Sequence, residues 1–393
     1  MSTQTKPSML MPTYARLDKA FVRGEGCFLF DDQGNPYLDA LSGIGVVGLG
    51  HANPKLAQII SEQAHTLLHT SNVYHIPAQE ALAHKLASVS GMDNCFFSNS
   101  GAEANEAALK IARLFGKSKH IEHAQIIVME NAFHGRTLAT LSATANKKVH
   151  AGFEPLLPDF IRVPFNDFTA IEKVANDHKN IVAVFLEPIQ GEGGIHIADE
   201  NYLKQVYDFC NAQNWLLMLD EVQSGNGRTG KYFAFQHTQI TPDVLCTAKG
   251  LGNGLPIGAC LSAGKASHLM QAGNHGSTYG GNQLVCTAAL EVVNTISEAS
   301  FLDTVNHKAE YLIELAQKHL QPLDAVKCIR NKGLMIGIEL KKDAPTLVNK
   351  ALDKGLLINV TSGNVIRLLP PLVIEKDAID KLILILKELI TVM

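Results

Sequence analysis

The sequence predicts an α/β protein in which a large, mostly parallel sheet flanked by helices is joined to a smaller α+β unit. Short apolar runs, "NCFFSNS", "AQIIVME", "IVAVFLEP", "WLLMLDE", "DVLCTAKG" and "GACLSAG", alternate with helical stretches, as parallel strands joined by crossover helices do. Past Gln283 the pattern changes to helices interspersed with strands of antiparallel character. Apolar residues make up 46% of the 393 positions and charged residues 18%, which suffices for a large core in a soluble globular chain.

In chain order, "CFLFDDQGNPYLDAL" reads as two short strands around a turn, because Asp-Asp-Gln-Gly-Asn separates alternating apolar residues. From Pro54 to Val89 the spacing of Leu56, Ile59, Ile60, Leu82 and Leu86 is helical, with a break around "HTSNVYHIP". The strand-helix alternation follows, and then "LVCTAALEVVNTISEA" reads as a long helix leading away from the sheet. The remainder predicts helices near 305–320 and 375–391 and strands at "GLMIGIELK", "GLLINV" and "VIRLLPP", so a second unit is placed from 291 onward. The last helix is apolar on more than one face, the signature of core packing.

The net charge of −4, with no block of like charges, marks neither a nucleic-acid nor a membrane surface and favours a small aqueous partner. The seven cysteines, at 27, 95, 210, 246, 260, 286 and 328, are scattered and include no C-x-x-C pair, so reduced thiols of a cytoplasmic protein are expected, without metal or disulfides. The amino-terminal stretch lacks the apolar core of a signal peptide, and no run approaches the length of a membrane span.

In such a sheet, ligands sit beyond the carboxyl ends of the strands. Ser100-Gly101-Ala102-Glu103 matches a capping box that opens a helix, and its first-turn N–H groups would also favour an anion by about 0.3–1 kcal/mol. Phe133 lies in a polar loop, where it can stack on a flat ring or simply pack, and Arg136 offers a fork for a carboxylate. Glu187 and Glu192 share one strand end, where paired carboxylates can do acid-base work, bind a metal or hold an arginine. Asp220 ends a wholly apolar strand and needs a cation, either a protonated ring nitrogen or Mg²⁺. In "TAKGLGNG" the lysine precedes the glycines, the reverse of a phosphate-binding P-loop, so a nucleotide-binding protein is a remote reading. A partly desolvated Lys249 is instead a nucleophilic amine, with the glycines allowing a sharp turn beside it. Amine, stacking ring, aspartate and anion-binding helix end are together the contacts that pyridoxal 5′-phosphate requires.

These residues resemble the class III pyridoxal-phosphate aminotransferases of fold type I. The likeness runs from "GNPYLDALSGIGVVGLGHANP" to "NVIRLLPPLVI", densest in "SNSGAEANEAALKIAR", "AFHGRT", "EPIQGEGG", "LDEVQSGNGRTG", "TAKGLGNGLPIGA" and "HGSTYGGNQL". It implies a segment 1–60 contributing to the small domain, a large cofactor-binding domain over 61–290 and a C-terminal α+β domain over 291–393. Lys249 is implied to form the Schiff base and shuttle a proton, and Asp220 to pair with the ring nitrogen. Gln223 is implied to approach the ring hydroxyl, Val222 and Phe133 to pack on opposite ring faces, and Ser100, Gly101 and Ala102 to hold the phosphate. Thr278 is implied to reach the cofactor of a neighbouring subunit, which makes a homodimer part of the expectation.

For substrate, the resemblance implies Arg136 and Ser277 for the α-carboxylate, and Arg367 for the second carboxylate of 2-oxoglutarate, with Glu192 pairing with Arg367 when that carboxylate is missing. The chain is most similar to members that move the δ-amino group of N2-acetylornithine to 2-oxoglutarate, giving N-acetylglutamate 5-semialdehyde and glutamate in arginine biosynthesis. Ornithine, succinylornithine and succinyldiaminopimelate are the alternative donors. Gln283, Tyr279 and Asn226 depart from the family pattern without removing a catalytic group.

Overall fold

The computed structural model describes residues 9–393; the first eight residues of the expected segment 1–60 lie outside the described residues. A seven-stranded sheet forms the centre, in the order Asn94–Ser98, Gly258–Ser262, Val244–Thr247, Leu216–Asp220, Ile181–Leu186, Gln125–Met129, Phe160–Val163. Gly258–Ser262 runs antiparallel to both its neighbours, and every other pairing in the sheet is parallel.

Alternation along these strands divides the core into two layers, as the two-residue strand period requires. Ile126, Val128, Leu216, Met218, Val244 and Cys246 face one side, where the helix Gly101–Ser118 lays down Ala104, Ala108, Ile111 and Phe115. Ile127, Met129, Leu217, Leu219 and Leu245 face the other. Both faces are covered, so the strand "IVAVFL" is buried along its whole length.

The helical stretch 54–90 is two helices, Pro54–Thr66 and Pro77–Ser90, separated at the break expected from the sequence. Asn53 caps the first by accepting from the Leu56 N–H, and Pro54 fills the first helical position, where no N–H is needed. Helix Gln283–Ile296 packs against both, so residue 291 falls inside a helix still resting on the large sheet's flank, and the chain bends by 68° into helix Ala299–His319 only after Ile296.

The carboxyl-terminal part contributes an antiparallel sheet, Val326–Lys332, Met335–Leu340, Val365–Leu368, Asn359–Thr361, and helices Ala299–His319 and Lys376–Thr391 packed on one another. Helix Lys376–Thr391 buries Ile379, Leu382, Ile383, Leu386, Leu389 and Ile390. The expected strand "GLLINV" is split: Leu356–Leu357 runs parallel to Pro36–Asp39, and Asn359–Thr361 pairs with Val365–Leu368. The amino-terminal strands Phe21–Glu25, Phe28–Asp31 and Pro36–Asp39 are thereby built into a sheet with residues more than three hundred positions away. Ser42 strengthens the tie by donating its hydroxyl to the Leu369 carbonyl at 2.6 Å. Among the described residues no single helix is long and apolar enough to cross a membrane, and all seven cysteines are free thiols.

Candidate active site

A cavity of about 430 Å³ opens at the carboxyl ends of the central strands and is lined by residues from five strand-end segments, among them Ser100, Gly101, Ala102, Phe133, Arg136, Asp220, Val222, Gln223 and Lys249. Parallel pairing places these ends on one edge of the sheet, so segments up to 150 positions apart converge.

Lys249 follows strand Val244–Thr247 and is itself left-handed, with φ of 46°. The glycine beside it was expected to make the sharp turn; instead the lysine adopts the rare conformation, while Gly250 does not. A non-glycine residue held there costs about 1–3 kcal/mol and persists only where its surroundings over-determine it. Burial lowers the pKa of the amine; Arg367 adds to that, while the charges of Glu192, Asp220 and Glu187 oppose it, and the net direction is down.

Asp220 ends its strand buried, with three donors on its carboxylate. Asn105 Nδ2 reaches Oδ2 at 2.7 Å, His134 Nδ1 meets the same oxygen at 2.8 Å, and the Val222 N–H gives to Oδ1 at 3.0 Å. His134 stacks on Phe185, with centroids 4.1 Å apart and planes at 22°. Asn105 and His134 had no role in the sequence reading, although a signal existed: Asn105 is the one polar residue on a helix stripe that otherwise buries Ala104, Ala107, Ala108 and Ile111.

Helix Gly101–Ser118 starts at the cavity. Ser100 Oγ accepts from the Glu103 N–H at 3.2 Å and the Ser100 carbonyl from the Ala104 N–H at 3.0 Å, which leaves the Gly101 and Ala102 N–H groups without a protein acceptor among the described residues. The expected capping box is displaced by one residue, since the Glu103 carboxylate takes the Asn99 N–H at 2.5 Å and the Asn99 side chain at 2.9 Å. Gly101 is required by contact: a Cβ there would stand 2.6 Å from Val222 Cγ1.

The two acids of "EPIQGEGG" separate into different tasks. Glu187 accepts from the Phe133 N–H at 2.9 Å and the Gly191 N–H at 3.1 Å, tying two loops together, and burial followed by the charge of Asp220 pushes its carboxyl up to about 8. Glu192 pairs with Arg367, Oε1 to Nη1, at 2.6 Å. Burial alone would raise the Glu192 carboxyl, but the adjacent guanidinium overrides it and holds it below the ordinary range. Arg367 is 1% exposed; it also donates from Nη1 to Gln223 Oε1 and from Nε to Asn359 Oδ1, each at 3.2 Å. Arg136 is exposed at the cavity mouth, its guanidinium 5.8 Å from the Phe133 ring centroid, and forms no ion pair among the described residues.

Ser277 and Thr278 do not line this cavity. Ser277 Oγ accepts from Asn99 Nδ2 at 3.2 Å and from the Gly280 N–H at 2.9 Å, and Thr278 is exposed.

The residues present fit pyridoxal 5′-phosphate. An amine, a carboxylate held by three donors and two open N–H groups at the start of an eighteen-residue helix face one cavity, and Asn105 Oδ1 and His134 Nε2 are buried without a protein partner among the described residues.

The chain matches the family model "Aminotransferase class-III" over residues 12–390. It is 52% identical over 384 residues to the acetylornithine aminotransferase of Nitrosomonas europaea, covering 98% of each chain. Among solved structures it resembles an ornithine aminotransferase from Toxoplasma gondii, described with partial occupancy of pyridoxal phosphate at its active site, at a TM-score of 0.93 and 31% identity, covering 98% of this chain and 92% of that one. It also resembles the acetylornithine aminotransferase of Elizabethkingia anophelis, with a TM-score of 0.86 and 33% identity, covering 98% and 96% of the two chains.

Proposed function

The chain belongs to the class III aminotransferases, and from that premise we propose that it transfers the δ-amino group of N2-acetylornithine to 2-oxoglutarate, giving N-acetylglutamate 5-semialdehyde and glutamate, a step of arginine biosynthesis. The observation that carries this reading is that one lysine shares its cavity with Arg136 and feels the charge of Arg367. Arg136 stands at the mouth without an ion pair among the described residues, and Arg367 is neutralised by Glu192 in the interior.

Pyridoxal 5′-phosphate is the cofactor, and when bound it supplies an aldehyde for the amine and a ring that accepts electrons released at the reacting carbon. Lys249 would hold it through Nζ and would carry a proton at that atom, a task suited to its lowered pKa. Asp220 offers its carboxylate to the ring nitrogen, with Asn105 and His134 fixing that carboxylate's orientation. The Ser100-Gly101-Ala102 turn would receive the phosphate, Phe133 and Val222 would flank the ring and Gln223 would serve its hydroxyl, all of them lining the one cavity.

Arg136, with Ser277 nearby, receives the α-carboxylate of the donor. A monocarboxylate donor leaves Arg367 paired with Glu192, whereas 2-oxoglutarate brings a second carboxylate that displaces Glu192, so one pocket accepts both partners. Thr278, exposed and outside its own chain's cavity, serves the phosphate site of a second copy in a cytoplasmic homodimer. Exposed Leu67, Leu68, Val73, Tyr74, Leu138 and Tyr279 supply the apolar surface that such a contact needs.

The test is a series of single-turnover half-reactions followed by the bound cofactor's absorbance, with N2-acetylornithine, N2-succinylornithine, ornithine and 4-aminobutyrate as donors. N2-acetylornithine is expected to react with the highest kcat/KM. A higher value for free ornithine or 4-aminobutyrate overturns the substrate assignment.

A further inference from the structure

The left-handed backbone of Lys249 needs something to hold it, and the structure supplies a buried side chain that meets both flanks of the lysine. Asn226, in the loop after strand Leu216–Asp220, is 4% exposed. Its Nδ2 donates to Thr247 Oγ1 at 2.9 Å and to the Ala248 carbonyl at 3.0 Å, and its Oδ1 accepts from the Tyr232 hydroxyl at 3.1 Å. Both N–H donors of the amide and one acceptor site are therefore used. On the other flank, a Cβ added to Gly250 would lie 3.0 Å from Asn226 Cβ, so the asparagine also backs the residue after the lysine.

The Ala248 carbonyl belongs to the peptide plane that precedes Lys249, and the orientation of that plane relative to the lysine Cα is the φ angle itself. The same carbonyl accepts from the Leu251 N–H at 2.9 Å, closing the turn that begins with the lysine. An apolar side chain at 226 would leave that carbonyl with one partner and would deprive the buried Thr247 and Tyr232 hydroxyls of theirs. Asn226 is itself left-handed, with φ of 56°, a conformation asparagine tolerates better than most residues, and Tyr232 fixes which end of the amide faces the lysine.

We propose that Asn226 is a positioning residue for Lys249: its buried amide fixes the Ala248–Lys249 peptide plane and so sets the line along which the amine enters the cavity. This rests on the reading of Lys249 as the amine that holds the cofactor. A side chain at 226 holds the plane from this side by presenting donors toward Thr247 and Ala248, as the asparagine amide does.

Two uncharged substitutions isolate the amide. Asn226→Gly keeps the left-handed backbone available and removes all three bonds. Thr247→Val removes one bond at nearly constant volume. Each purified holoenzyme is titrated with pH while the absorbance of the lysine-bound cofactor is followed; the cofactor is then removed, and the rate of its refixation is measured. Borohydride reduction and peptide mass mapping of the unsubstituted protein locate the fixed cofactor independently.

For Asn226→Gly we expect a shift of about half a unit in the titration midpoint. Refixation and kcat should each be about tenfold slower, as a misplaced reactive group requires, with KM for the amino donor changed by less than about twofold. Thr247→Val should shift each quantity the same way but less, and it decides alone if Asn226→Gly does not fold. Fixation on Lys249 with unchanged midpoint and refixation in the variants overturns the positioning role only. Failure of the unsubstituted protein to fix cofactor on Lys249 overturns the reading beneath it, and the positioning role falls with it.

Discussion

Glu192 Oε1 lies 2.6 Å from Arg367 Nη1, pairing a partly exposed carboxylate with a guanidinium that is almost wholly enclosed. The asymmetry assigns the moving part: Arg367 is anchored by Asn359 and Gln223 as well, whereas Glu192 can turn toward solvent. Glu192→Gln keeps a hydrogen-bonding group but removes the charge that competes with a substrate carboxylate. The ratio of kcat/KM for glutamate to that for N2-acetylornithine should rise by about tenfold, the equivalent of roughly 1.4 kcal/mol, measured in separate half-reactions. An unchanged ratio would show that the pair does not govern the choice.

Arg367→Lys tests the other partner. A lysine retains the charge but lacks the planar fork that serves Glu192, Gln223 and Asn359 at once. We expect kcat/KM for 2-oxoglutarate to fall by about a hundredfold and that for N2-acetylornithine by much less, because in the proposed function only the oxo acid asks Arg367 for a bidentate contact. Equal losses for both substrates would place Arg367 in structure rather than in recognition.

Glu187 makes stability depend on pH. Its carboxyl is raised from an ordinary 4.5 to about 8 by burial and then by Asp220, so the native state binds more protons than the unfolded state between those values. The stability this group contributes is fully present below about 4.5 and is lost as pH rises through about 8. Replacing it with glutamine removes that dependence. The thermal midpoint of the cofactor-free wild type should therefore fall relative to Glu187→Gln between pH 5 and pH 8.5, by several degrees in the difference. Parallel curves for the two proteins would rule out a raised carboxyl at 187.

The strand-end residues were legible because the apolar runs "WLLMLD" and "VLCTAK" announce where each strand stops, and parallel pairing delivers those stops to a common edge. Asp220, Lys249, Phe133 and Gly101 meet at one cavity for that reason. Asn105 and His134 were not legible as a pair because their shared partner lies 115 and 86 residues away, and a single polar residue on an apolar stripe does not say what it faces. The roles of Glu187 and Glu192 could not be separated locally either, since one serves backbone N–H groups of its own unit and the other an arginine from the carboxyl-terminal sheet. "GLLINV" reads as one short, largely apolar run broken only by Asn359, and its division between two sheets is dictated by Pro36–Asp39 and Val365–Leu368, which no local pattern contains. The edge strand Phe160–Val163 was missed because "FIRV" is short and interrupted by Arg162, whose Nη2 donates to the Thr144 carbonyl at 3.0 Å and to the Ser142 carbonyl.

Asn105→Leu should weaken the hold on the cofactor without abolishing it. The substitution preserves bulk but removes one of three donors to Asp220 and one to the His134 carbonyl, the latter 2.8 Å away in the native protein. Losing a hydrogen bond to a charged group costs about 1.5–3 kcal/mol, so the dissociation constant for pyridoxal phosphate should rise by roughly ten- to a hundredfold. Equilibrium dialysis against the free cofactor measures this directly, and a change of less than about threefold would mean that His134 and the Val222 N–H suffice.

Gly191→Ala asks whether the cofactor side of the cavity and the Arg367 side are mechanically joined. A Cβ at 191 would stand 2.3 Å from Gln223 Oε1 and 2.5 Å from Gln223 Cδ, so the glutamine must move. An unconstrained glutamine would turn aside at little cost, but this one accepts from Arg367 Nη1 at 3.2 Å and lines the cavity in front of Lys249. Turning it breaks the bond to Arg367 and leaves Glu192 and Asn359 as that residue's remaining partners. We expect the protein to fold, because Gly191 is not among the left-handed glycines and the three atoms nearest an added Cβ all belong to the Gln223 side chain. If Gln223 serves both sides as proposed, two changes should then appear together: KM for 2-oxoglutarate rises by about tenfold, and the bound cofactor's absorbance maximum shifts. A rise in KM with an unchanged spectrum would mean that Gln223 serves Arg367 alone, and a shifted spectrum with an unchanged KM would mean that it serves the cofactor alone.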